Sequence, residues 1–455
     1  MACCRDCTLV FLATILLLTE IVSCNGRVKS ETFLLPMFTL EPGSVINKRF
    51  YNIEFPRGHI GLKSFNGEIV DEAGNSVPLY EAYLHHWNVW RYFQPRGVDH
   101  KNNELTKPKG YVVAVNSGTC QGNVLRLYFA LGTETRGMDP RVPDPYGIEV
   151  GSPEQAPPGY EDRWMLNLHV IDTRGVADML KCIECQCDQF DITLDEFGLP
   201  LTPDYSGGSR CCYHQTRCRL REGFEGGPRN LYLRYTVKWV DWDSSVLPVK
   251  AFMLDSTDTG RRSGETWVNG EVRLSPETGC QVEYEVKACN DPSSGCIDTK
   301  RASITMPNGG YVVYAAAHQH NGGIGSTLYK QDRREICTSV PIYGKGEEPG
   351  NEAGFLVGMT ICYPKPGSVK IVKGEKLLLE SNYNSSNQHT GVMGLFYILV
   401  ADQLPDHTNS LKHGSVSAYV LGIVTLFGPL ILLVNIGLKS WRKRKTDDSY
   451  QPIRP

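Results

Sequence analysis

Apolar positions in this chain fall into two kinds of run. Across residues 25–402 they are short and rich in Val, Ile, Tyr, Phe and Leu, as at 124–131, 232–240, 311–317 and 376–380, with clusters of Gly, Pro, Asn and Asp between them. Long stretches of 3.6-residue apolar period are missing there, so the pattern predicts strands joined by turns and an all-β fold of antiparallel sandwich type. At roughly 390 residues, the size favours two domains, each large enough for its own core. We expect two antiparallel β-sandwich domains in tandem, residues 25–254 and 255–402. Two stretches are expected to stay outside the cores: residues 136–162, too rich in Pro and Gly for continuous structure, and the cysteine-rich insert 182–228.

The second kind of run is long and uninterrupted. Near the N-terminus, MACCRDC with its single arginine precedes LVFLATILLL and the small residues Val22, Ser23 and Cys24. These are the parts of a signal peptide, assigned to residues 1–24. Near the C-terminus, residues 416–438 carry no charge and would reach about 35 Å as a helix, enough for one transmembrane crossing. Lys439 and the sequence WRKRK follow directly, so the positive-inside rule puts residues 439–455 in the cytosol. A polar tail after the apolar run argues against a lipid anchor. The expected topology is a single-pass type I membrane protein of the secretory pathway. Its bulk would be extracellular, at the plasma membrane, above a short stalk at 403–415.

That compartment changes how the cysteines read. Four of the 16 leave with the signal peptide. Cys120, Cys182, Cys185, Cys187, Cys211, Cys212, Cys218, Cys280, Cys289, Cys296, Cys337 and Cys362 remain, an even set that predicts disulfides of undetermined pairing. The spacing of Cys182, Cys185 and Cys187 with Cys211, Cys212 and Cys218 looks zinc-like, but outside the cell disulfides within the insert are the expectation. A net charge of −3 and the lack of a basic block outside the tail exclude nucleic acid as a partner. Asn384 in Asn384-Ser385-Ser386 is a candidate glycosylation site.

Of the 11 histidines, five sit in strand-like settings: His85 and His86 in EAYLHHWNVW, His169 in WMLNLHVID, and His318 and His320 after YVVYAAA. Alternate residues of a strand share a face, so His318 and His320 project to one side and suit a shared metal. His85 and His86 are adjacent, so joint ligation requires a strand end or a bulge. His169 lies on the face of Met165 and Asn167, away from Trp164, Leu166, Leu168 and Val170. Neutral imidazole with a thioether suits copper rather than calcium or magnesium.

The order of these motifs resembles that of the type II copper, ascorbate-dependent monooxygenases, the peptide-amidating and dopamine-hydroxylating enzymes. The resemblance implies two copper sites, one from His85, His86 and His169 and one from His318, His320 and Met393, the last in HTGVMGLFYILV. It implies ascorbate as reductant and Tyr397 as a substrate contact. The chain departs from the amidating pattern at Ala316, where an arginine would bind a substrate carboxylate, and at Leu395, Gly394 and Trp87. More closely, LHHWNVW, the cysteine spacing of the insert and AAHQHNGGIG identify the chain as a member of the plant stress up-regulated nodulin family. That family is defined by expression under stress and nodulation.

Two functions remain open at this point. One is a copper-binding protein with ascorbate-dependent hydroxylase activity on an unknown substrate. The alternative is a non-catalytic surface protein that binds a small molecule or protein on the same scaffold.

Overall fold

The computed structural model describes residues 28–97, 107–120, 125, 128–132, 136–138, 140–260, 266–268, 271–273, 279–291 and 295–405. The expected signal peptide, transmembrane run and cytoplasmic tail lie outside the described residues. Among the described residues no helix is long and apolar enough to cross a membrane.

The chain is mostly β, in several sheets. The largest has nine strands and follows the spatial order Lys29–Leu34, Arg229–Asp241, Ile60–Val70, Tyr146–Val150, Leu247–Asp255, Leu395–Ala401, Gly310–His318 and Lys370–Ile371, with Phe38–Leu40 added beside Arg229–Asp241. A five-stranded sheet is built on Tyr160–Asp172, which lies between Val45–Phe50 and Ala82–Pro95. The strands Ile297–Thr305, Lys376–Asn384, Gly323–Tyr329 and Glu335–Ser339 form a four-stranded sheet.

Period-2 alternation explains how these layers pack. In Arg229–Asp241, Leu231, Leu233, Tyr235 and Val237 are buried while their neighbours Tyr232, Arg234, Thr236 and Lys238 are not fully so. The buried row meets the five-stranded sheet through Phe65, which stacks on Trp87 at 4.6 Å and on Tyr235 at 5.5 Å between ring centroids. Burying a side chain such as Phe65 contributes about 2–3 kcal/mol, which fixes strand register, because a one-residue slip would turn that row to solvent.

Sequence expectation and structure part in three places. Residues 136–162 contain the strand Tyr146–Val150, with Tyr146, Ile148 and Val150 all buried. Pro145 and Gly151 delimit it, and Gly147 lies inside it, where a Cβ would crowd Gly61. The strand pairs antiparallel with Ile60–Val70 and parallel with Leu247–Asp255, so it carries the nine-stranded sheet across the middle of the chain. The strand Leu247–Asp255, placed at the end of the first expected domain, pairs along its length with Leu395–Ala401 from the second. The insert is also not peripheral: Cys182, Cys185, Cys211, Cys212 and Cys218 are at most 1 % exposed and belong to the main core. Disulfide sulfur is apolar, so a stapled insert can pack as core.

All twelve cysteines are paired: Cys120–Cys280, Cys182–Cys218, Cys185–Cys212, Cys187–Cys211, Cys289–Cys296 and Cys337–Cys362. The three pairs of the insert are nested within it, as its reading as a disulfide-stapled element requires.

Candidate metal centre

Five histidines from four segments meet at one place. Ala82–Pro95 pairs antiparallel with Tyr160–Asp172, and the register shifts between Leu84 and His86, so that His86 lies opposite His169. The extra residue is His85. This irregularity is what adjacent histidines need if both are to turn toward one point, since a regular strand would send them to opposite faces. His318 ends its own strand, and His320 follows in the turn that leads to Gly323–Tyr329.

The rings are in direct contact. The Nδ1 atoms of His85 and His86 are 2.8 Å apart, and His86 Nε2 is 3.0 Å from His320 Nε2. Ring centroids are 4.5 Å apart for His85 and His169, 5.6 Å for His86 and His318, and 5.3 Å for His318 and His320. His85, His86 and His320 each offer a ring nitrogen within 4.8 Å of the others. The histidines of the two sets expected to hold separate ions therefore form a continuous cluster, which Met393 of the second set does not join. His169 offers a ring nitrogen within 4.8 Å of the sulfurs of Cys185 and Cys212, but those sulfurs are bonded to each other and offer no thiolate.

The cluster is dry. His85, His169, His318 and His320 are all buried. Burial, followed by the neighbouring imidazoles, holds His85, His86 and His320 well below the ordinary histidine range. Burial brings His169 down to about 4, against a hydrogen bond with the backbone of Cys212 that favours its charged form. Those four rings are thus neutral at pH 7, the form that ligates metals. His169 Nε2 is buried with no hydrogen-bond partner among the described residues. An orphaned buried nitrogen costs about 1–3 kcal/mol, a cost that a bound ion would remove.

Surrounding groups hold the rings in place. The Tyr383 hydroxyl accepts from the backbone N–H of His320 at 2.8 Å and donates to the carbonyl of Met393 at 2.7 Å. Gln319 between the two histidines donates to Ser381 Oγ and the Asn382 carbonyl, each at 3.0 Å. His389 does not enter the cluster: its Nδ1 lies 2.7 Å from Glu184 of the insert, which raises its pKa despite burial. Gly322 has φ +88°, and a Cβ there would strike the His389 ring. The turn carrying His320 therefore requires glycine for both its backbone and its packing. On the other side Cys185 Sγ lies 3.6 Å from His85 Nε2, so the disulfide Cys185–Cys212 forms one wall.

Met393 lies beside this cluster in the backbone, through Tyr383. Its side chain belongs to a buried apolar cluster that also holds Trp90, Met165, Met253, Val282 and Leu395. Tyr397 commits its hydroxyl to the Tyr128 carbonyl at 2.9 Å. Ala316 is the strand partner of Tyr397, and Leu395 that of His318. Gly394 is required by close packing, since a Cβ would run into Ser256 and Ser381. Asn384 is exposed at the end of its strand, with its side chain accepting from the Ser386 N–H at 2.8 Å. Tyr383, Gly322, Glu184 and the Cys185–Cys212 wall carry no local sequence signal of a site. They become legible only through long-range pairing.

Residues 26–403 match the family described as stress up-regulated Nod 19. The chain belongs to that family. Its members are stress-related by description, and this protein is one of them. No curated protein matches the chain. Among solved structures, the crystal structure of the STIV MCP is 9 % identical over 85 % of this chain and 99 % of its own, with a TM-score of 0.26. The infectious bursal disease virus VP2 subviral particle is 11 % identical over 83 % of this chain and 73 % of its own, with a TM-score of 0.17. Likeness at that level carries no argument about this protein.

Proposed function

We propose that this stress-related protein binds copper through His85, His86, His169, His318 and His320. The observation that carries the reading is the convergence of five imidazole rings, four of them buried and one with an orphaned Nε2, from segments far apart in sequence. The donor set argues for the metal. Among the described residues no carboxylate or thiolate joins the three closest rings, which disfavours calcium, magnesium and thiolate-bound zinc, and nitrogen donors bind copper(II) most strongly among first-row divalent ions. Bound copper would supply one-electron redox chemistry. The residues themselves position neutral lone pairs, exclude water and, through Tyr383 and Gln319, fix the turn that presents His320.

We place the site outside the cytosol, on two tandem β-sandwiches anchored by residues 416–438, with Asn384 available for glycosylation. Oxidised cysteines throughout support that compartment. A second reading, ascorbate-dependent hydroxylation, is favoured by the position of the Met393 backbone beside His320. It is weakened by the packing of the Met393 thioether in an apolar cluster and by the commitment of the Tyr397 hydroxyl to Tyr128.

Equilibrium dialysis of the purified full-length protein against copper and zinc tests the first reading, with oxygen uptake in the presence of ascorbate as the test of the second. Retained copper that falls sharply in His86→Gln and His320→Gln supports it. Retention unchanged by both substitutions sinks it.

A further inference from the structure

A cleft of about 360 Å3 lies on the face of the nine-stranded sheet opposite Phe65, Tyr235 and Val237. Its floor is a ladder of three cross-strand pairs, Ser64 with Lys238, Asn66 with Thr236 and Glu68 with Arg234. These residues alternate with Phe65, Tyr235 and Val237, which face the core. Such an outer face is ordinarily open to water. Here Arg136, Pro349 and Gly350 close over one end of it.

Arg136, Arg234 and Lys238 line the cleft with Glu68 as the one carboxylate. Arg234 approaches Glu68 Oε1 through two nitrogens at 2.6 and 3.1 Å, while Ser76 Oγ holds Oε2 at 2.6 Å. Arg136 has a side chain only 3 % exposed; its Nη1 donates to the Val77 carbonyl at 2.9 Å and lies 4.0 Å from the Glu352 carboxylate. Glu352 already accepts the backbone N–H groups of Leu79 and Gly350, each at 3.0 Å. A guanidinium withdrawn from water with its carboxylate partner at 4.0 Å gains from a further anion that meets it.

We infer that this cleft binds a small hydroxylated molecule carrying one oxyanion, a sugar acid or a sugar phosphate. Guanidinium forks match the planar oxygens of a carboxylate or phosphate. Ser64, Asn66 and Thr236 supply neutral donors and acceptors for hydroxyl groups. Pro349 is the one apolar side chain in the lining, which disfavours a hydrophobic ligand. The volume stands at the low end of ligand pockets, which suits a molecule of one ring. The site is independent of the histidine cluster and of its metal.

Calorimetric titration of the full-length protein with glucuronate, glucose 6-phosphate, glucose and inorganic phosphate tests this. Glucuronate, glucose 6-phosphate or both should bind at least about ten-fold more tightly than glucose and than phosphate, and the tighter of the two identifies the oxyanion. Arg234→Gln should weaken that binding about ten-fold or more, and Glu68→Gln should strengthen it by removing a competing carboxylate. Lys238→Gln serves if Arg234→Gln loses its native circular dichroism. The inference is overturned if neither acid binds better than glucose, if inorganic phosphate binds equally well, or if Glu68→Gln weakens binding as the cation substitutions do.

Discussion

Replacing His169 with Leu in the metal-free protein should remove a defined part of its sensitivity to acid. The His169 ring is 3 % exposed, and burial sets its pKa at about 4. In the unfolded chain the same group titrates near 6.5. Between those values the unfolded chain takes up a proton that the folded chain refuses, so stability falls as pH drops from about 6.5 to about 4 and then levels off. At about 1.4 kcal/mol per unit, this one group costs on the order of 3 kcal/mol across the window. His85, His86 and His320 act in the same direction. Guanidinium unfolding at pH 7.5, 5.5 and 4.5, with chelator present and disulfides intact, should show wild-type stability falling steeply. The Leu variant should lose about 1.4 kcal/mol less per unit of pH. Equal slopes for the two proteins, or a wild type that gains stability on acidification, would refute the claim that His169 is buried neutral.

Removing the wall disulfide by Cys185→Ser with Cys212→Ser should lower stability by about 1–3 kcal/mol and weaken copper binding, both measurable by denaturation and dialysis, because two hydroxyls replace buried sulfurs and the pair abuts His85. Tyr383→Phe leaves the His320 N–H and the Met393 carbonyl without their partner, at about 1–3 kcal/mol, and should lower copper affinity without changing metal stoichiometry. Met393→Ile should leave copper(II) affinity unchanged, because its side chain packs among Trp90, Met165 and Met253. A large loss would instead make the thioether a ligand. Gly394→Cys should destabilise the fold, seen as a lowered melting temperature, because no Cβ fits between Ser256 and Ser381.

What could be read in advance depended on whether the cause was local. Alternation along WMLNLHVID and YVVYAAAH gives the faces of His169 and His318 directly, and the adjacency of His85 and His86 demands the bulge that is found between Leu84 and His86. The convergence of His86 on His320 was not legible. It depends on pairing between segments 234 residues apart, which no local period encodes. The strand Tyr146–Val150 was hidden because Pro and Gly flank a run too short to outweigh them, yet two neighbouring strands accept its edges. The cysteine-rich insert was misplaced for a related reason. Polar residues dominate its composition, but its nested disulfides turn Cys185 and Cys212 inward against His85 and His169. In the strand carrying Met393, alternation could not decide the environment, because Thr390, Val392 and Met393 are all buried.

The central claim is that imidazoles of this cluster hold copper, and electron paramagnetic resonance of the full-length protein loaded with one equivalent of copper(II) tests it most directly. We predict a signal split by several equatorial imidazole nitrogens, altered in His86→Gln and in His320→Gln while circular dichroism stays native. A signal with oxygen donors alone, or one identical in both variants, would contradict the account.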